Sequence, residues 1–292
     1  MALLARSATS FGARGVTLTR MTRGRMALVG LAVVLALAVA ALGAPSLPLG
    51  SPTAIGKDLA LRAPTATEPF GMDDLGRSVL SRVVHAYRIS LAVAVGSVLL
   101  ALVIGGCLGL VAGYAEGLPD QLIMRPLDVL MAFPAILLAI ALMSVFGTGA
   151  LLVSVALAVV YTPVVARVVR ASVLATKIEV YVDGARALGA TVPRVVLTHI
   201  LPNAATPVLV QASVLMAIAI LIEAALSFLG LGVPEPYPSW GRMLSVSAAE
   251  YAQKAPHLVL FPGIAISLAV FGSNLLGDAL RDTLDPRLRG AQ

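Results

Sequence analysis

Apolar residues along this chain gather into six runs, at about 26–42, 89–114, 126–146, 150–169, 207–230 and 257–276. Each is long enough, or nearly so, to cross a bilayer, which takes about 20 mostly apolar residues. Hydrocarbon offers the backbone no hydrogen-bond partner, so each run predicts an α-helix that satisfies its own polar groups. The pattern therefore predicts an all-α membrane protein with six transmembrane helices. The first run follows several arginines and precedes Ala-Leu-Gly-Ala, as a signal peptide would. Its length of about 17 residues exceeds the usual apolar region of such a signal, so a retained helix is expected. The implied organisation is a tail at 1–25, a first span at 26–42, an outer segment at 43–88, a five-helix core at 89–276 and a tail at 277–292.

Between the fourth and fifth runs the pattern breaks. The stretch VDGARALGATVPRVVLTHILPN (182–203) is too charged and too interrupted by Gly189, Pro193 and Pro202 to span. From Ile178, the spacing of Tyr181, Ala185 and Leu188 predicts one apolar helical face, with Glu179, Asp183 and Arg186 elsewhere. Gly189 suits a left-handed C-cap. Thr191 is placed to cap a second helix with Pro193 in its first turn, and Pro202 to end it. Val192, Val195, Val196 and His199 share a face there. The product is a helix–turn–helix elbow of about 20 residues, counted at helical periodicity. It reads either as an amphipathic connector resting in the headgroups or as a docking element, since Gly184, Ala185 and Gly189 allow another surface to come close.

Composition agrees with the runs. Hydrophobic residues make up 59% and charged residues 12% of the 292, and mean hydropathy is +0.94, whereas a soluble domain carries about 25% charged residues. The net charge of +6 lies at the termini and in short loops rather than in a stripe with aromatic partners, which excludes a nucleic-acid surface. With the N-terminus inside, fourteen Lys and Arg fall on the cytoplasmic side and seven outside. That asymmetry predicts both termini, and the elbow, in the cytoplasm.

Gly105, Gly109 and Gly113 recur on one face of the second helix, where small residues let backbones approach. Pro134 and Pro163 predict kinks. Two carboxylates fall within spans. Asp128 has Arg125 one turn earlier as a partner, and Glu223 lies deeper; both are candidates for the pathway or for packing. Cys107 sits in an apolar run and is expected to be a small buried residue. His85, His199 and His257 have no ligand spacing, so no metal site is expected. Lysine occurs only at 57, 177 and 254, outside any phosphate-binding loop, and no catalytic motif appears. In 43–88, Asp73 or Asp74 is expected to cap a short surface helix carrying Leu75, Val79 and Leu80.

The elbow resembles the EAA loop of ABC-transporter permeases. Asp183, Gly184 and Ala185 stand at its first three places, with Gly189, Leu201 and Pro202 at the expected spacing. Asp replaces Glu, Gly replaces the first Ala, and His199 stands where Ile would. EPFGMDDLGRSVLSRVVHAYRISL (68–91), LDVLMAFPAILLAI (127–140), EAALSFLGLGVPEPYPSWGRML (223–244) and NLLGDALRDTLDPR (274–287) resemble the peptide/nickel branch of these permeases, and within it the C-type subunit. The resemblance implies a type I ABC importer permease fold in a bacterial inner membrane. It also implies a homologous B-type permease, one or two kinds of ABC ATPase subunit holding the ATP and Mg, and an extracytoplasmic binding protein. No cofactor would belong to this chain. Within the coupling loop at 171–206, Asp183, Gly184, Ala185, Leu188, Gly189, Leu201 and Pro202 would meet an ATPase. The outer loop 231–256 would meet the binding protein, with Trp240 as a contact there or as an interfacial anchor. A secondary transporter or channel working alone, and a membrane scaffold, are the alternatives.

Overall fold

The computed structural model describes residues 25–284; the tails 1–24 and 285–292 lie outside the described residues. Helices follow one another as α1 (Arg25–Gly43), α2 (Val79–Ala115), α3 (Gly117–Met131), α4 (Ala135–Phe146), α5 (Ala150–Lys177), α6 (Val180–Ala187), α7 (Val192–Val195), α8 (Leu201–Phe228), α9 (Trp240–Glu250) and α10 (His257–Leu284). Among the described residues, the only β pairing is an isolated bridge between Met72 and Ser78.

Four helices are long and apolar enough to span: α2, α5, the stretch Val192–Phe228 and most of α10. The run expected at 126–146 is not one straight helix. It divides into α3 and α4, bent by 96°. Pro134 stands at the break as the residue before α4, where its missing N–H and fixed φ stop α3 from continuing. Counting that pair as one span makes five. The first run is α1, whose apolar part, Leu28–Gly43, is shorter than a span among the described residues.

The bundle is built on α2 and α5, whose seam is lined by the small residues. A Cβ on Gly105 would lie 2.6 Å from the Thr162 carbonyl oxygen, one on Gly109 would overlap that of Ala166, and one on Gly113 would sit 2.9 Å from Val173 Cβ. The two backbones are therefore in direct contact over two turns. Cys107, expected buried, lies on the opposite side of α2 and is exposed, because the glycine face at 105 and 109 turns residue 107 outward.

At the end of the bundle remote from the elbow, α2 begins at Val79 rather than near residue 89. Ser78 caps it, its Oγ accepting from Ser81 N at 3.5 Å. The separate short helix expected over 73–80 is absent. Asp73 instead folds a turn, its Oδ1 accepting from Leu75 N at 3.0 Å and Arg77 N at 2.8 Å. Its other oxygen pairs with Arg77 Nε at 2.6 Å and with Arg82 Nε at 3.5 Å. All three side chains are buried.

Asp74 has no such satisfaction. Burial, and then the neighbouring Asp73 carboxylate, push it above the usual carboxylate range, although Arg77 lies 3.7 Å away. A carboxylate raised on folding weakens the folded state while ionised. Asp74→Asn is thus expected to raise the thermal midpoint slightly at neutral pH. The gain should vanish as pH falls below the ordinary aspartate value of 3.8, which thermal scans in detergent across pH would record.

Candidate functional site

Besides the buried Asp73–Arg77–Arg82 cluster, two assemblies of polar residues stand out among the described residues, one at each end of α8. The first is the elbow. α6 spans Val180–Ala187 and ends in Gly189 at φ +85°. Gly189 N donates to Arg186 O at 2.9 Å and Ala190 N to Ala185 O at 3.0 Å, the paired closure of a helix by a left-handed residue. Thr191 occupies the cap position of α7, but its side chain makes no capping bond.

The second arm does not end at Pro202, contrary to expectation. After α7 the chain widens into a π turn, Val196–Ile200, with Leu201 N donating to Val196 O. It then runs through Pro202 into α8. Proline is tolerated there because the widened turn relieves both its missing donor and its clash with the preceding turn. The elbow's second arm is thus a rigid extension of a spanning helix.

The apolar face expected on the first arm is not the buried one. Val182, Val195 and Ile200 are buried, while Leu188 is 91% exposed and Tyr181 about half exposed. Tyr181 and Leu188 are turned outward and Ala185 is half-buried. Asn203 Nδ2 donates to Tyr181 Oη at 3.1 Å and His199 O at 2.6 Å, which fastens the arms together. Lys177 Nζ donates to Tyr114 O at 3.1 Å and pairs with Glu116 Oε1 at 2.7 Å, fixing the elbow's root to the end of α2. Among the described residues Asp183 pairs only with Arg186, at 3.1 Å on the surface. Leu201 and Pro202 are exposed at the start of α8.

Gly184 is the informative position. It lies inside α6 at an ordinary helical φ, and an added Cβ would meet nothing within 4 Å. A glycine inside a helix costs about 1 kcal/mol relative to alanine. Nothing within the described chain requires it.

Asp128, expected to pair with Arg125 on its own helix, instead accepts from Arg167 Nη2 of α5 at 2.6 Å. Asp120 receives both Arg170 Nε and Nη2 at 2.6 Å. The sequence concealed these bonds because the bend at Pro134 decides which helix α3 lies against. Asp128 thereby belongs to the elbow end, as an interhelical tie.

The second assembly surrounds Glu223, which is fully buried. Ser90 Oγ of α2 donates to Oε2 at 2.6 Å; Ser227 Oγ donates to Oε1 at 2.8 Å, and Ser239 Oγ at 3.4 Å. Trp240 follows directly, 1% exposed, with Nε1 donating to Val83 O at 2.9 Å and its ring 5.5 Å from Tyr87. Trp240 is neither an interfacial anchor nor an external contact; it is the plug that seats α9 on α2. Ser227 lies one turn along Glu223's own helix, whereas Ser90 and Ser239 come from other parts of the chain and went unrecognised in the sequence for that reason. Replacing Glu223 with leucine leaves these hydroxyls without their acceptor. The expected cost is about 1–3 kcal/mol, with Gln partly rescuing it. The chain's one tryptophan sits beside the site, so its emission on heating in detergent is the readout.

The described residues thus form a helical membrane bundle with glycine-tight seams and an elbow at one end. The chain belongs to the family described as binding-protein-dependent transport system inner membrane component, whose model matches residues 105–290. It is 41% identical to the dipeptide transport system permease protein DppC of Alkalihalophilus pseudofirmus, over 92% of this chain and 88% of that one. It is 42% identical to the glutathione transport system permease protein GsiD of Pectobacterium atrosepticum, over 89% and 86%. It is 40% identical to the di/tripeptide permease protein DppC of Pseudomonas aeruginosa, over 91% and 89%. The chain is a multi-pass, non-catalytic permease subunit of an ABC transport system, working with ATPase and substrate-binding partners, rather than a transporter or channel acting alone.

Proposed function

We propose that this permease forms half of the pathway through which an ATP-driven importer takes up di- and oligopeptides, a homologous B-type permease supplying the other half. Both termini and the elbow face the cytoplasm, α1 and the bent α3–α4 pair complete six spans, and an extracytoplasmic binding protein delivers substrate at the end carrying α9. The peptide class rests on the substrates named for the relatives. The orientation rests on the excess of Lys and Arg assigned to the elbow side.

The elbow at 179–202 is the seat of an ATPase. The observation that carries this reading is Gly184, a glycine with open space around it on an exposed helix face shared with Leu188 and next to the half-buried Ala185. Such a face suits close approach by a second surface. Asp183 stands on the same short helix, and Gly189 holds the turn. Leu201 and Pro202 join the second arm to α8, so displacement of the elbow moves α8 without a hinge in between. Glu223, at the far end of α8, joins that helix to α2 and α9, which carries the displacement across the bundle.

The test is reconstitution of this chain with its sister permease, ATPases and binding protein in liposomes. Uptake of a labelled dipeptide should require all components and ATP. Uptake by this chain alone, down an ion gradient, would overturn the reading.

A further inference from the structure

Near the elbow, α5, α8 and α10 leave a groove of about 470 Å³ between them. Val168 of α5 and Val210 and Val214 of α8 form apolar lining, while Thr206, Gln211 and Arg281 bring polar groups to it. Among the described residues, none of those three side chains makes a hydrogen bond or ion pair, although the nearby Arg167 and Arg170 are both paired with aspartates. Asp278 and Asp282 flank Arg281 on α10 but do not pair with it among the described residues, and neither lines the groove.

The polar groups are graded with depth. Thr206 lies in the second turn of α8 and Arg281 in the last turn of α10, both at the elbow end. Gln211 lies more than a turn deeper, and Val214 about 12 Å along α8 from Thr206. An ammonium or other cationic group would find no carboxylate in this lining. The groove therefore suits an amphiphile with an anionic head and an apolar tail, and it disfavours a zwitterionic peptide or phosphatidylcholine.

We propose that this groove binds one anionic phospholipid of the elbow-side leaflet. Its phosphate meets Arg281 and the Thr206 hydroxyl, its ester region lies at Gln211, and an acyl chain lies on Val168, Val210 and Val214. Basic pockets between spanning helices recognise anionic headgroups in this way. The lipid would bridge α8 and α10 beside the elbow, where helices α5 and α8 enter and leave it. The inference does not depend on the transported substrate, and the topology decides only which leaflet supplies the lipid.

The assembled transporter, placed in nanodiscs of mixed phosphatidylglycerol and phosphatidylcholine and released into native mass spectrometry, tests the site. One retained phosphatidylglycerol per copy of this chain is expected. Arg281→Gln should weaken its retention about fivefold, the effect of one basic group on an anionic headgroup, and Arg281→Lys should restore most of it. Val214→Trp should expel the lipid with the charge left in place. Unchanged retention in both Arg281→Gln and Val214→Trp would overturn the proposal. So would competition by glycerol phosphate as effective as that by the lipid, which marks a site for soluble anions. Displacement of the lipid by a dipeptide would also overturn it, assigning the groove to the pathway.

Discussion

Gly184→Trp is expected to abolish attachment of the ATPases, lowering their affinity at least tenfold, and with it coupled uptake, while the thermal midpoint of the bundle stays unchanged. An added Cβ meets nothing within 4 Å, and the helix containing it gains from losing a glycine. The bundle therefore has no reason to suffer. A surface seated against Ala185 and Leu188 would be forced away, and a loss of only about 1.4 kcal/mol in that contact already means tenfold in affinity. Co-purification of the ATPases and dipeptide uptake report the loss; a thermal scan of the isolated permease reports the intact fold. Gly184→Ala separates bulk from flexibility, because it stiffens α6 while adding one methyl. Full uptake and normal ATPase retention in the tryptophan variant would place the docking surface elsewhere.

Gly109→Leu should have the opposite profile, with the fold itself failing. Even a methyl at this position overlaps the Ala166 carbonyl, which is backbone and cannot rotate aside. The α2–α5 seam must then open, and Gly105 and Gly113 lose their contacts with α5 in the same movement. Overpacking costs about 1–3 kcal/mol where side chains can yield, and a fixed carbonyl leaves less room to yield. Gly106→Leu is the matched control, since a Cβ on this glycine, three residues before Gly109 on the same helix, meets nothing within 4 Å. Accumulation in membranes and melting in detergent should separate the two, with Gly109→Leu unstable and Gly106→Leu close to the wild type. Equal behaviour would mean the glycine seam carries no particular share of the packing.

Much of the elbow was legible from residue types, because its determinants are local. Gly189 closes α6 with the left-handed geometry that its lack of a Cβ permits, and the spacing to Pro193 puts that proline in the first turn of α7. Pro202 was misleading for an equally local reason. A proline predicts a helix end unless the preceding turn widens, and nothing in the residue pattern announces a π turn. The apolar periodicity of α6 also left open which face is buried. Tyr181, Ala185 and Leu188 do form an apolar stripe, yet Val182 is the residue turned inward. A stripe made for a partner and one made for the protein's own core have the same periodicity.

Hydropathy by itself established the helical membrane class, the elbow between two spanning runs and the small-residue face of α2, since a bilayer demands long apolar helices whatever they pack against. Tertiary structure decided the rest: that Asp128 pairs with Arg167 rather than Arg125, that Trp240 is a buried plug, and that Glu223 gathers Ser90 and Ser239 from outside its own helix. The physical reason is that apolar pattern constrains each helix against its solvent, whereas partners of polar groups depend on how helices meet. That meeting is set by a bend at Pro134 and a glycine seam whose consequences lie tens of residues away.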